Sequence, residues 1–262
     1  MVAMVKADRK KSIVTLLQQH GFSSTQNLAK QMAVSQTTIY RYLTELEDEG
    51  LIRKEYGGVT LGQKPVGIDL DYGARRLDNV TEKQAIAERA MSLVESGDTV
   101  FIDSSTTCVA FAQRLGFADL HDLTIITNSA RIVLALRHKL EYHVICTGGD
   151  YLARHDTLVG SPAEEFITNL TANKCFISAM GVTPQACTDA DPSDVRIKRL
   201  MLARARTKIL LADHSKFGRS TTFTVITPPE LDLVVTDAGV SAAVLAAFQA
   251  LNLTVLIAPL AR

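Results

Sequence analysis

The chain has no tryptophan, and only 6% of its 262 residues are aromatic. Its core must therefore be aliphatic, and Leu, Val, Ile and Ala supply it. Cysteine is scarce as well. The four cysteines, Cys108, Cys146, Cys175 and Cys187, include no CxxC pair and no Cys/His group at zinc-ligand spacing. That excludes a disulfide framework and a structural zinc, and they read as reduced core residues. No metal or cofactor is expected. No apolar run reaches the ~20 residues of a membrane helix. The polar, basic start lacks the apolar segment of a signal peptide, so the expected compartment is the cytoplasm, with no membrane partner. Neither GxxxxGK[ST] nor GxGxxG occurs, which disfavours nucleoside triphosphates and dinucleotides as ligands.

Net charge is also missing. The 28 Lys/Arg and 28 Asp/Glu cancel, which at first argues against a nucleic-acid partner. The charges are unevenly placed, however. Residues 1–64 hold nine Lys/Arg against six Asp/Glu, an excess of +3, and the remainder carries −3. The length suits one large or two modest domains, and the basic excess falls on the segment with a DNA-reading pattern.

That segment spans 23–61. A helix over 8–19 carries Ile13, Leu16 and Leu17 at helical spacing and ends at Gly21. Ser24 caps a second helix that runs to Met32. After Ala33-Val34-Ser35 a third helix begins. Ile39, Leu43 and Leu46 fall on its inner face at i, i+4, i+7. Thr37, Tyr40, Arg41 and Thr44 lie on the other side, and Ser35, Gln36 and Thr38 sit at its start. A buried aliphatic stripe backed by hydroxyls, Tyr and Arg is what a groove-reading helix needs. Two short strands then flank Gly57-Gly58, where φ > 0 permits a tight hairpin. Arg53, Lys54 and Tyr56 on this wing are placed for backbone phosphates. Residues 1–61 are therefore expected to form a winged helix-turn-helix that binds a double-stranded DNA operator. A small helical protein-docking module is the alternative.

Residues 62–80, with Pro65 and several glycines, read as a linker with a short helix near 71–77. Thr81 with Gln84 suggests a capping box opening the next helix. From 81 to 262 short apolar strands alternate with helices: strands near 99–102, 123–126, 143–146, 176–179, 209–212, 233–236 and 254–257, helices between them. Ser161-Pro162-Ala163-Glu164 reads as another helix start with a capping box. Near-continuous apolar strands alternating with helices predict an α/β fold with a mostly parallel sheet. Ligands of such sheets sit outside the strands' carboxyl ends. The residues there are Asp103-Ser104-Ser105-Thr106-Thr107, Thr127-Asn128-Ser129, Thr147-Gly148-Gly149-Asp150, Met180-Gly181 and Asp213-His214-Ser215-Lys216. A hydroxyl run opening a helix favours an anion, Lys216 supplies a full charge, and Asp103 and Asn128 suit sugar hydroxyls. The expected ligand is a phosphorylated sugar or polyol held by Asp103–Thr107, Thr127, Asn128, Ser129, Gly148, Gly149 and Lys216.

The same residues resemble a known family. Val34-Ser35, Thr38-Ile39, Arg41, Leu43, Leu46-Glu47, Gly50-Leu51-Ile52-Arg53 and Tyr56-Gly57-Gly58 are similar to the signature of DeoR-type bacterial transcriptional regulators. The family's recognition helix usually reads Thr-Ile-Arg-Arg-Asp-Leu, and Tyr40 and Tyr42 depart from it, so the operator is expected to differ from the family norm. Asp103 to Thr107 resembles the family's Asp-x-Gly-Thr-Thr loop with Ser105 for Gly. Thr127-Asn128-Ser129, Gly148-Gly149, Asp194-x-x-Ile197-Lys198 and Ala212 to Gly218 match too. Arg75, Arg76, Asn79 and Lys83 resemble a junction segment and read as interdomain contacts. The resemblance implies a sensor domain similar to ribose-5-phosphate isomerase. It also implies repression of a sugar or polyol operon, relieved by the phosphorylated effector. Paired half-sites imply a dimer or tetramer. The rival class is a sugar-phosphate isomerase-like enzyme, with Asp189, Asp191 or Asp194 as base and Lys198 or Lys216 as partner. A fused DNA-binding module accounts for a non-catalytic site without further assumptions.

Overall fold

The computed structural model describes residues 9, 10, 12–14, 16, 17, 22–48, 52–55, 57–61 and 72–260. The chain divides into two compact units, Met1–Val66 and Gly67–Arg262.

In the first unit residues 9, 10, 12–14, 16 and 17 are helical, with Ile13 and Leu17 fully buried. Strand β1 (Phe22–Ser24) leads into the helix Thr25–Gln31, where Ser24 Oγ accepts the Asn27 N–H as the sequence predicts. The turn passes through Ala33 at φ 52 into the helix Gln36–Asp48. Strands β2 (Ile52–Glu55) and β3 (Gly58–Leu61) form the wing. β1 joins them, giving an antiparallel order β1-β3-β2. Three residues are too few for a period-2 signal, which is why β1 escapes the sequence reading. Its pairing also explains the second glycine of the tip. Gly57 supplies φ +84, whereas a Cβ at Gly58 would lie 2.5 Å from the Ser23 carbonyl oxygen. Ile13, Leu17, Leu28, Ile39, Tyr42, Leu43, Leu46, Ile52 and Val59 make one core. The caps expected at Gly21 and Gly50, and Tyr56, lie outside the described residues.

The second unit is built on a parallel sheet of β4 (Thr99–Ile102), β5 (Thr124–Thr127), β6 (His143–Cys146), β9 (Ala172–Ile177), β12 (Ala205–Leu211), β14 (Leu233–Asp237) and β15 (Thr254–Ala258). Their order is β15-β14-β12-β9-β4-β5-β6, every pair parallel. Side chains alternate across the sheet. Val100, Ile102, Phe176, Ile209, Leu211 and Val235 pack under the helices Val80–Met91, Thr106–Leu115 and Ala130–Leu136. Phe101, Cys175, Ile177, Leu210 and Val234 face the helices Ser161–Thr168, Pro192–Ala203 and Ala242–Gln249. Two apolar layers on one sheet explain why the strands read as unbroken apolar runs. The α/β expectation holds.

The chain winds from β4 out to β6 and then returns beside β4 to run through β9, β12, β14 and β15. The reversal makes β4 and β9 the switch point, beside whose carboxyl ends ligands of such sheets bind.

Two small antiparallel pieces lie beyond the sequence reading: the hairpin β7 (Asp150–Leu152) with β8 (Thr157–Val159), and the sheet of β10 (Gly181–Val182), β11 (Cys187–Asp189) and β13 (Phe223–Ile226). Two caps differ from expectation. The helix Val80–Met91 starts from Asn79, at φ 49, rather than from Thr81, and Gly160 rather than Ser161 precedes Ser161–Thr168. Neither cap makes a side-chain hydrogen bond. Cys108, Cys175 and Cys187 are buried, but Cys146 is exposed because it ends the edge strand β6. Among the described residues no helix is long and apolar enough to cross a membrane.

Candidate DNA-reading surface and sensor site

In the first unit the helix Gln36–Asp48 presents Gln36, Thr37, Tyr40, Arg41 and Thr44 to solvent while Ile39, Tyr42, Leu43 and Leu46 are buried. Ser35 caps it: its Oγ accepts the Thr38 N–H at 3.2 Å and lies 2.9 Å from Thr38 Oγ1. The Thr38 hydroxyl is thus engaged by the cap, which orients the first turn. Arg41 sits over the Tyr42 ring at 5.6 Å, held where its guanidinium remains exposed. Thr44 Oγ1 donates to the Tyr40 carbonyl. Lys54 on the wing is tied back to the helix, 2.8 Å from Glu47 and donating to Thr44 Oγ1 at 3.0 Å. Arg53 is exposed beside it. Lys54 therefore fixes the wing against the helix, and Arg53 is the wing's outward cation.

In the second unit every residue expected at the effector site lies at the carboxyl edge of the sheet. Ser104, Ser105, Thr106 and Thr107 follow β4, Asn128 and Ser129 follow β5, Gly148 and Gly149 follow β6, and Lys216 follows β12. Their engagements differ. Both Asp103 oxygens are committed within the protein. Oδ1 accepts the Ser105 N–H at 3.0 Å and Oδ2 accepts the Ser178 N–H at 3.0 Å. Asp103 therefore shapes the loop and spans β4 to β9 rather than facing a ligand. Ser105 caps the helix Thr106–Leu115, leaving the first N–H groups of that helix without intrahelical acceptors. Thr127 Oγ1 accepts the Ser129 N–H. Asn128 donates Nδ2–H to Thr157 Oγ1 at 2.7 Å and to the Leu158 carbonyl, which fixes the amide. Its Oδ1 is buried without a partner, as are Ser129 Oγ and Asp213 Oδ2. A buried polar atom left unpaired costs about 1–3 kcal/mol, and Arg9 Nε, Tyr72 Oη, Thr221 Oγ1 and Thr236 Oγ1 are left so as well. Gly149 is held to glycine by φ +105 and by the Val159 carbonyl, 2.3 Å from any Cβ there.

The structure brings together Asp189, Asp194 and Lys198, which the rival enzyme reading named as base and partner, and adds Asp103 to them, whereas Asp191 caps the helix Pro192–Ala203. Lys198, 3% exposed, projects from the helix Pro192–Ala203 into a ring of carboxylates. Its Nζ is 2.5 Å from Asp189 Oδ2, 3.1 Å from Asp194 Oδ2 and 3.3 Å from Asp103 Oδ2, and it donates to the Ser178 carbonyl at 3.1 Å. Burial opposes the ammonium charge, but Asp189, Asp194 and Asp103 outweigh it and hold Lys198 protonated. Burial also pushes the Asp189 carboxyl up to about 6, against the pull of Lys198. Asp194 Oδ1 reaches Ser104 and Thr157, both at 3.5 Å, linking the cluster to the β4 loop. The Asp194/Lys198 spacing of i, i+4 was the available signal.

Beside β12 lies a second polar group. Asp213 Oδ1 accepts from Asn79 Nδ2 at 2.8 Å and from the Ser215 N–H. Burial opposes its charge, yet Lys216, Ser215 and Lys83 hold its carboxyl below the usual range. Lys83 is buried and donates to the carbonyls of Arg75 and Asp78, closing the end of the helix Tyr72–Leu77. Burial, reinforced by Lys216, lowers its ammonium to about 8. Asn79 and Lys83, expected as interdomain contacts, thus make these bonds inside the second unit. The guanidinium groups of Arg75 and Arg131 lie 5.7 and 5.4 Å from the centre of the Tyr72 ring.

A winged helix-turn-helix joined to an α/β unit with unpaired polar groups at its strand ends defines a class: a DNA-binding regulator carrying a sensor domain. Residues 9–64 match the DeoR-like helix-turn-helix domain, and residues 78–238 match the DeoR C terminal sensor domain. The chain belongs to the DeoR family of transcriptional regulators. It is 33% identical to the HTH-type transcriptional regulator GolR of Listeria innocua, over 97% of this chain and 100% of that protein. It is 30% identical to the glycerol-3-phosphate regulon repressor of Escherichia coli, over 90% and 92%. With the HTH-type transcriptional repressor GlcR of Bacillus subtilis it shares 32% identity over 89% of each chain. Among solved structures, a D-ribose-5-phosphate isomerase in complex with phospho-erythronic acid aligns over 52% of each chain, with 17% identity and a TM-score of 0.37.

Proposed function

We propose that this protein represses a sugar or polyol utilisation operon in the cytoplasm and releases its operator when a phosphorylated sugar or polyol binds the second unit. The observation that carries the reading is the trio of buried, unpaired acceptors Asn128 Oδ1, Ser129 Oγ and Asp213 Oδ2. They stand at the carboxyl edge of a parallel sheet, with Lys83 and Lys216 beside Asp213. Acceptors suit the hydroxyl groups of a polyol, and the two lysines with the opening of the Thr106–Leu115 helix suit its phosphate. The names of the relatives, a glycerol-3-phosphate regulon repressor among them, point the same way.

The operator is read by Gln36, Thr37, Tyr40 and Arg41, with Ser35, Thr38, Thr44 and Lys54 holding the geometry and Arg53 and Tyr56 on the phosphates. The protein acts as a dimer or tetramer, one reading helix per half-site. The effector shifts the equilibrium between DNA-competent and incompetent states through its different affinity for the two.

Sensing is favoured over catalysis. A catalytic lysine must exchange a proton with its substrate, whereas Lys198 is enclosed by three carboxylates and a carbonyl. The enzyme reading is tested by incubating the protein with sugar phosphates and following aldose–ketose conversion, which the sensor reading expects to be absent. The regulatory reading is tested by thermal unfolding against a panel of sugar and polyol phosphates and their unphosphorylated parents. A native-state ligand raises stability by RT ln(1 + [L]/Kd). One phosphorylated compound should shift the transition while its parent does not.

A further inference from the structure

We infer that residues 238–260 form the face through which two copies of this chain associate, about a two-fold axis that sets β15 antiparallel to its own copy. The inference rests on the oligomeric reading above and adds the surface that serves it.

The chain carries 28 Lys/Arg and 28 Asp/Glu, yet none falls in the twenty-three residues from 238 to 260. The helix Ala242–Gln249 reads Ala-Ala-Val-Leu-Ala-Ala-Phe-Gln, but only Phe248 in it is buried. Ala242, Ala243 and Ala246 are exposed. A helix apolar on all sides is normally enclosed on all sides. Its neighbour β15 is the outermost strand of the sheet, paired with β14 on one side. Among the described residues nothing pairs its other side, so a row of N–H and C=O groups faces outward. Natural edges are blunted by charges, bulges or inward lysines, and β15 has none of them. At the opposite edge β6 is approached through Arg137, His138, Lys139 and Glu141.

The exposed helix face and the strand edge are contiguous. Val255 packs with Val244 and Phe248 on one side of the sheet, and Ile257, two residues on, shares that side and is 42% exposed. Any occupant must offer a strand to complete the ladder, small side chains to meet the alanines, and no unpaired charge. A second copy of residues 238–260 meets all three conditions, because a two-fold interface sets one patch against itself. Like-charge repulsion, which penalises most self-contacts, does not arise.

The test is sedimentation of the full chain by analytical ultracentrifugation over a range of concentrations, with circular dichroism and thermal unfolding as checks on folding. Ile257→Lys and Ile257→Glu should each weaken association at least 100-fold while keeping the wild-type unfolding transition. Mixing the two variants should restore association, which a merely misfolded chain would not do. Leu140→Lys, on an exposed residue away from this face, should leave association unchanged. Variants that associate as the wild type does would overturn the interface and leave the oligomeric reading intact. A wild-type chain that stays monomeric at all concentrations would overturn both.

Discussion

The two units use polar side chains in opposite ways. In the DNA-reading unit the informative residues are exposed: Gln36, Thr37, Tyr40, Arg41 and Arg53 stand on a small aliphatic core that only has to hold one helix and a hairpin in place. In the sensor unit they are buried. Asp103, Asn128, Ser129, Asp189, Lys198 and Asp213 are each at most 4% exposed. A surface that reads a rigid duplex needs reach and charge, and water satisfies its polar groups until DNA arrives. A crevice that distinguishes one small molecule from another needs donors and acceptors fixed in advance, and burial makes any mismatch costly. Substitutions of these exposed residues should accordingly act on binding alone, and substitutions of the buried ones on both stability and binding.

The largest effect is expected at Lys198. Replacing it by Met removes the cation that lies within 3.3 Å of Asp103, Asp189 and Asp194. Breaking a buried ion pair from one side costs about 3–5 kcal/mol. Chemical denaturation should show that loss, and a doubly substituted chain with Asp189→Asn should recover part of it. In the first unit Arg41→Ala should cost about 1–3 kcal/mol of operator affinity with unchanged unfolding. Fluorescence anisotropy against operator and random DNA decides its role: loss on the operator alone marks a base contact, equal loss on both marks a phosphate contact. Lys216→Ala should keep operator affinity within about two-fold and lose the effector response, since Lys216 is half-buried and outside the core clusters.

A pH profile sharpens the contrast further. Lys83 titrates near 8 because it is buried beside Lys216, with Asp213 pulling the other way. An anionic effector prefers the charged lysine, so its affinity should fall as pH rises through about 8 and stay level there in Lys83→Met. The phosphate's own second ionisation, near pH 6, acts in the other direction and below that range. Operator affinity measured without effector should lack this feature. The smallest effect belongs to Ser35→Ala, which removes the cap of the reading helix and should cost about 1 kcal/mol of stability, read from the unfolding midpoint.

How far the sequence speaks depends on how local the cause is. The apolar periodicity of Ile39, Leu43 and Leu46 and the capping Ser24 are local, and the helix-turn-helix is legible from them. The alternation of apolar strands with helices gives the parallel sheet, and the rule for strand ends gives the edge where Ser104, Asn128, Gly149 and Lys216 gather. Partners brought from far along the chain are not legible. Asp103 meets Ser178 and Lys198 only because β4 and β9 are neighbours, an order that no spacing reveals. The same limit hides the small sheet of β10, β11 and β13, whose strands are short and lie far apart in sequence. Caps fail for a different reason. Ser161 and Thr81 have the right neighbours for capping boxes, but Gly160 and Asn79, both at positive φ, turn the chain earlier.

The account's central claim is that a phosphorylated small molecule bound in the second unit governs DNA binding by the first. Operator-fragment anisotropy, titrated with each sugar and polyol phosphate and its unphosphorylated parent, measures it directly. One phosphorylated compound should release the DNA, its parent should not, and Lys216→Ala should remain bound in its presence. Release by the parent compound, or equal release from the Lys216→Ala protein, would contradict the claim.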